Sequence, residues 1–454
     1  MSVTTQNPAT GEPLETYAYH TGAEVEALLA AAHRAAARQR ETPLAERTAA
    51  LSRAADVLDA RRRPLAELMT REMGKPIGQA EAEVEKCAWV CRHYAEHAAA
   101  YLADEPVDTE APRSLVAYEP LGVVLAVMPW NFPLWQAIRF AAPALAAGNV
   151  GLLKHATNVL GCGYAIEDVF REAGFPEGAF AHVVLEHDRI GAVIADERVA
   201  AVTLTGSDRA GRAVARQAGE ALKKTVLELG GSDAFLVFAD ADLDRAVETA
   251  VTARTQNNGQ SCIAAKRFLL EAPIADAFAE RFAARMEALR VGDPMDPATD
   301  VGPLARADLR DELHEQVHRT LGEGARLLTG GDIPAGPGHF YPPTTLADVT
   351  AEMTPYREEL FGPVAALSTF RTEEEAVEHA NATPFGLGAA VFTGDRQRGE
   401  RVARQLACGA AFVNEMVKSH PALPFGGVKA SGYGRELGRA GILEFTNVKT
   451  LWLA

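Results

Sequence analysis

The polar run Gln256-Asn257-Asn258-Gly259-Gln260-Ser261 ends in Cys262, just before a strand-like stretch, Arg267-Phe268-Leu269-Leu270. A core thiol normally sits among aliphatic residues. This one follows Gly, Gln and Ser, whose backbone N–H groups and amide can donate to a developing negative charge. Alone, it reads more simply as a buried cysteine that follows a loop. Glu228 closes an apolar run ahead of Gly230-Gly231, and functional groups of open parallel sheets gather at the carboxyl ends of strands. A lone glutamate there is otherwise a solvated strand-end carboxylate. Asn131, between Trp130 and Phe132, is a turn residue or an amide donor. Lys154 ends a buried run, where a charge needs a partner such as a phosphate or a ribose. Gly206-Ser207 and Gly211 follow another strand-like run and carry part of a dinucleotide-loop fingerprint, without its full GxGxxG.

These residues need a frame, and the hydropathy pattern supplies one. Residues 1–20 read as extended around a turn at Asn7 to Glu12, and Ala23 to Ala103 as alanine-rich amphipathic helices, a scaffold. From Arg113 the pattern turns to β, with short runs to Val127, then the proline-pinned loop Met128 to Pro133 and a helix from Leu134. Strand-like runs at Val150–Lys154, Ala200–Thr205 and Lys224–Leu229 alternate with helices, as in a parallel βαβ sheet built to bind a nucleotide. A second alternating region follows Gly231, and the chain ends in a β-like run, Asn447 to Leu453, of the kind that pairs with another subunit.

At 454 residues the chain is too long for one core. A net charge of −16 argues against nucleic acid, which needs a basic face. The five cysteines are irregularly spaced, so neither a disulfide framework nor a metal site is expected; Cys87 and Cys91 lie four apart with no second pair. No apolar run approaches a membrane span. The polar start, with Pro8 and Gly11 where an apolar segment would stand, gives the expectation of a soluble, cytoplasmic protein without a signal peptide.

Taken in order, Pro129-Trp130-Asn131-Phe132-Pro133, Lys154, Gly206 with Gly211, Glu228-Leu229-Gly230-Gly231, Gly259-Gln260-Ser261-Cys262, Glu359-Leu360-Phe361-Gly362-Pro363 and Pro424-Phe425-Gly426-Gly427 resemble the aldehyde dehydrogenase superfamily, with Cys262 34 residues after Glu228. The resemblance covers essentially the whole chain. It implies an α/β fold with a Rossmann-type cofactor domain (1–110 and 124–229), an α/β catalytic domain (230–430) and a small β oligomerisation element (111–123 and 431–454) in a homodimer or homotetramer. It implies that Cys262 attacks an aldehyde, that Asn131 with the backbone N–H of Cys262 forms the oxyanion hole, and that Glu228 activates water. For the cofactor it implies roles for Trp130, Lys154, Gly206, Ser207, Gly211, Leu229, Glu359 and Phe361.

NAD-preferring members often carry Glu three residues after the lysine, where this chain has Thr157. A carboxylate there repels a 2′-phosphate and a hydroxyl can donate to it, so NADP is permitted alongside NAD. In the helix that lines the family's aldehyde channel, Trp135 and Arg139 share a face, and the position of Arg139 is commonly aromatic. A cation there suits an aldehyde with a distal carboxylate; the alternative is that Arg139 pairs with a carboxylate of the protein. Ser261 and Ser419 would line the same channel. The chain looks closest to the shorter bacterial succinate-semialdehyde dehydrogenases, with another carboxy-aldehyde, such as glutarate semialdehyde, or a broad aldehyde range as alternatives. Ala264 stands where some members carry a second cysteine, so no thiol switch is expected.

Overall fold

Two mostly parallel sheets organise the chain, and the computed structural model describes all 454 residues. The first sheet has the order Gly432–Tyr433, Lys224–Glu228, Val199–Thr205, Val123–Val127, Val150–Lys154, Phe180–His182. Only Gly432–Tyr433 runs antiparallel, against Lys224–Glu228. Each inner strand is apolar along its length because helices cover both faces. On one side lie the alanine-rich helices Gly22–Glu41, Leu44–Ala60, Arg62–Met73 and Ile77–Tyr101. Thr21 starts the first with a capping box closed by Glu24, and Gly74, at φ 81°, ends the third in the left-handed region. Ala50, Ala54, Ala55, Ala80 and Ala88 are buried where these helices meet, so small side chains permit their close approach.

The second sheet has the order Arg326–Thr329, Thr344–Ala347, Val364–Phe370, Ala265–Glu271, Asp233–Val237, Gly388–Phe392, Ala410–Val413. Its strand Asp233–Val237 shows why it is covered on both faces. Ala234 and Leu236 enter one apolar cluster, Phe235 and Val237 another, in the two-residue alternation of a pleated strand. The two sheets meet through Glu228-Leu229-Gly230-Gly231, which leaves the first sheet at Glu228 and enters the second at Asp233. Ser431 pins this crossing: its carbonyl accepts from the Leu229 N–H at 3.0 Å and its hydroxyl donates to the Gly230 carbonyl at 2.6 Å.

The terminal strand Thr446–Leu453 pairs antiparallel with Arg113–Pro120, in a three-stranded sheet with Glu105–Pro106. Seven of its eight residues are exposed, leaving an open edge. No helix is long and apolar enough to cross a membrane.

Candidate active site

The polarity around Cys262 serves first to hold a loop. The helix Leu243–Thr255 ends, and Asn257 and Asn258 follow at φ 58° and 57°, a left-handed conformation that asparagine tolerates better than most residues. Their side chains replace the missing backbone bonds. The Asn257 amide donates to the carbonyls of Asn131 at 2.7 Å and Gln260 at 2.9 Å; that of Asn258 donates to those of Gly74 at 2.8 Å and Pro303 at 2.9 Å. Gly259 (φ 71°) lies so close to Gly362 that a Cβ would strike its backbone. Below the loop, fully buried Lys266 donates at 2.7 Å to the carbonyls of both Ser261 and Cys262, and at 3.0 Å to Glu359 Oε1.

The loop carrying Asn131 is fixed from the other side. The Ala156 N–H donates to His155 Nδ1 at 3.0 Å, so Nε2 carries the proton that goes to the Pro133 carbonyl at 2.9 Å. Burial lowers His155 to about 4, which keeps the ring neutral. The Asn131 amide donates to the Gln260 carbonyl at 3.0 Å and its Oδ1 accepts from Gln136 at 3.2 Å, so one N–H of the amide is left for a ligand. Glu83 accepts the N–H groups of Leu134 and Trp135 at 2.9 Å each, at the N-terminus of the fully buried helix Trp135–Ala147. Its other oxygen pairs with buried Lys75.

Two cavities meet at this junction, and Cys262 and Gln136 stand in the walls of both. The first, about 540 Å³, is lined by Trp130, Asn131, Gly206, Ser207, Leu229, Glu359 and Phe361 among others. Ser207 caps the helix Asp208–Glu220 by accepting from the Ala210 N–H, so the cavity opens on that helix's positive end. Trp130 and Phe361 meet edge to face at 5.7 Å. The second cavity, about 580 Å³, runs the other way between Phe132, Trp135, Ser261, Ser419 and Phe425. Buried Ser261 Oγ has no hydrogen-bond partner.

Charge is concentrated behind the cysteine. Burial pushes the Cys262 thiol up to about 12, against the pull of Lys266, so the sulfur is protonated at neutral pH. Burial, then the neighbouring Glu436, hold the Glu228 carboxyl well above the usual range. Neither Glu228 oxygen has a hydrogen-bond partner, and a Cβ on Gly426 would lie 2.6 Å from Oε1. Glu228 thus lies behind the cavity walls as a proton-accepting group rather than as a solvated strand end.

Sequence-predicted residues therefore divide. Cys262, Asn131, Trp130, Gly206, Ser207, Leu229, Glu359 and Phe361 share the first cavity; Cys262, Trp135, Arg139, Ser261 and Ser419 share the second. Gly211 is a correction: it lines neither cavity, and a Cβ there would meet Leu229 at 2.6 Å, so its smallness lets the helix pack on the strand end rather than admitting a pyrophosphate. For Arg139 the alternative holds: its guanidinium is buried and ion-paired with Glu436, over the Phe425 ring. Lys154 and Thr157 lie outside both cavities; Lys154 is buried without a carboxylate partner, and burial lowers it to about 8. Sequence reasoning did not find Lys266, Glu83, Gln136, Glu436 or Lys86. Each meets partners remote in sequence, and only the paired spacing of Lys75 and Glu83 on neighbouring helices left a local trace.

The profile of the aldehyde dehydrogenase family matches residues 1–451. A Synechocystis sp. protein named "Probable succinate-semialdehyde dehydrogenase", NADP(+), is 53% identical over 454 residues, covering all of both chains. A Mycobacterium tuberculosis protein named succinate-semialdehyde dehydrogenase 1, NADP(+), is 53% identical over 457 residues, again covering all of both. Among solved structures, the succinic semialdehyde dehydrogenase of Streptococcus pyogenes in complex with NADP+ superposes with a TM-score of 0.97 at 38% identity, over 99% of each chain. With one profile spanning the chain and full-length relatives above half identity, this protein belongs to the aldehyde dehydrogenase family.

Proposed function

We propose that the protein oxidises succinate semialdehyde to succinate with NADP+ as the preferred acceptor. One observation carries the reading: Cys262 stands at the meeting of a cavity headed by a helix N-terminus and a cavity with cations in its wall, in a chain whose full-length relatives bear that activity in their names. The residues present fit the dinucleotide. Gly206 and Ser207 offer the helix end to the pyrophosphate, Glu359 and Phe361 flank the nicotinamide, and unpaired Lys154 with Thr157 takes the adenosine ribose and its 2′-phosphate. When bound, the nicotinamide supplies the hydride acceptor.

Glu228 takes the proton of the Cys262 thiol, and Sγ attacks the aldehyde carbon to give a thiohemiacetal. The free N–H of the Asn131 amide and the Cys262 backbone N–H hold the oxyanion; one such donor is worth about 3–4 kcal/mol. Departure of the hydride leaves a thioester on Sγ. Glu228 then deprotonates a water, whose oxygen displaces the thiolate and releases the acid. The cofactor and catalytic domains and the oligomerisation element divide as the family resemblance implies. We infer that the open edge of Thr446–Leu453 pairs between subunits in a homodimer or homotetramer.

Steady-state kinetics with succinate semialdehyde, glutarate semialdehyde and butanal, each with NAD+ and NADP+, tests the reading. It expects the highest kcat/KM for succinate semialdehyde with NADP+, and a higher value for butanal refutes it. One added methylene changes binding by about 1–3 kcal/mol, so glutarate semialdehyde should follow at reduced efficiency.

A further inference from the structure

Three cations stand in the wall of the second cavity, and two are already neutralised by the protein. Arg139 is ion-paired with Glu436, and exposed Lys418 with Glu415 at 3.0 Å. The third, Lys86, projects from the helix Ile77–Tyr101. Its ammonium donates to Ser419 Oγ at 2.8 Å and lies 4.5 Å from the centre of the Trp135 ring. It has no carboxylate partner. Glu83, one turn away on the same helix, is taken by Lys75 and two backbone N–H groups, and Glu85 pairs with Arg62. A largely desolvated ammonium with one of its three donors used is costly unless an anion completes it.

We propose that Lys86, rather than Arg139, receives the distal carboxylate of the aldehyde, with Ser419 as its second contact. The Ser419 hydroxyl accepts from Lys86 and so keeps its own hydrogen to donate to the same carboxylate. Trp135, beneath the ammonium, and Phe132 and Phe425, in the same wall, enclose the carbon chain between that end and Cys262. Arg139 is left to balance Glu436 and Glu228. The proposal rests on the reading that the aldehyde carries a carboxylate, and the test separates the two.

Burial, and then the charge of Arg139, lower Lys86 to about 8. The other groups acting on it are Glu83 and Cys87 of its own helix and Lys75. A bound carboxylate favours the protonated amine, so above pH 8 binding requires proton uptake. KM for succinate semialdehyde should rise about tenfold between pH 7 and pH 9, measured relative to KM for butanal.

The experiment compares KM for succinate semialdehyde and for butanal in the wild type, Lys86→Met and Lys86→Arg, across that pH range. The expected result is a ratio of the two constants that falls tenfold to a hundredfold in Lys86→Met, in the range of one charge-assisted hydrogen bond. Its pH dependence should vanish, and Lys86→Arg should recover most of the preference. A wild type that favours succinate semialdehyde, with Lys86→Met keeping the same ratio, overturns the role of Lys86 and leaves the substrate reading standing. Equal losses for both aldehydes in Lys86→Met also overturn it, since they mark a structural residue. A wild type with no preference for the carboxylated aldehyde overturns the substrate reading and this proposal with it.

Discussion

Lys266→Met removes the cation beneath the cysteine loop and keeps an unbranched stem of similar length. Three acceptors lose their donor at once: the carbonyls of Ser261 and Cys262 and the carboxylate of Glu359. Hydrogen bonds to charged groups contribute about 1.5–3 kcal/mol each, and stripping one partner from a buried ion pair costs about 3–5 kcal/mol. Lys266 is fully buried, whereas Glu359 keeps 18% side-chain exposure and a bond from the Gly231 N–H at 3.1 Å, so its orphaned charge is partly solvated. The expected loss of stability therefore sits at the low end, about 3 kcal/mol. Lys266 is also the largest influence opposing the burial that raises the Cys262 thiol. Its removal should lower kcat by about tenfold or more, one pKa unit of thiol activation. Urea unfolding at fixed protein concentration and steady-state kinetics measure the two effects together. A stability change under about 0.5 kcal/mol with kcat unchanged would refute the idea that this ammonium holds the loop.

Three further outcomes are expected. With the Cys262 thiol raised to about 12, iodoacetamide should alkylate the cofactor-free enzyme about fiftyfold more slowly than an unperturbed thiol at pH 8, the thousandfold loss of thiolate being partly offset by its greater nucleophilicity. The rate should keep rising past pH 9; a plateau below pH 9 contradicts the assignment. Gly211→Ala should destabilise the fold by about 1–3 kcal/mol through overpacking against Leu229 while leaving KM for NADP+ near wild type, and a large rise in that KM with stability intact would restore Gly211 to the phosphate site. Thr157→Glu should weaken NADP+ relative to NAD+ by tenfold or more through repulsion of the 2′-phosphate, and an unchanged cofactor ratio places that phosphate elsewhere.

What the sequence makes legible is local: strand ends, helix starts and the short motifs that sit on them. Glu228, Gly206 and Lys154 fall where alternating strands and helices imply, and Trp135 and Arg139 do share a helix face. What it hides is the partner. Arg139 is neutralised by Glu436, and Lys86 reaches Ser419 across 333 residues, from a helix whose composition reads as scaffold. The cysteine loop shows the same limit. Its asparagines look like chemistry, yet they bond carbonyls of Asn131, Gly74 and Pro303 and so replace backbone bonds that a left-handed turn forgoes. Gly211 satisfies a phosphate-loop pattern and a helix-packing pattern equally, and only the position of Leu229 separates them.

The central claim is that Cys262 carries the substrate as a thioester that Glu228 releases. Glu228→Gln, mixed with succinate semialdehyde and NADP+, quenched in acid and digested, should show the peptide holding Cys262 heavier by one succinyl group, with about one equivalent of NADPH formed per active site. Cys262→Ala should show neither. A Glu228→Gln enzyme that turns over at the wild-type rate with Cys262 unmodified would contradict the account.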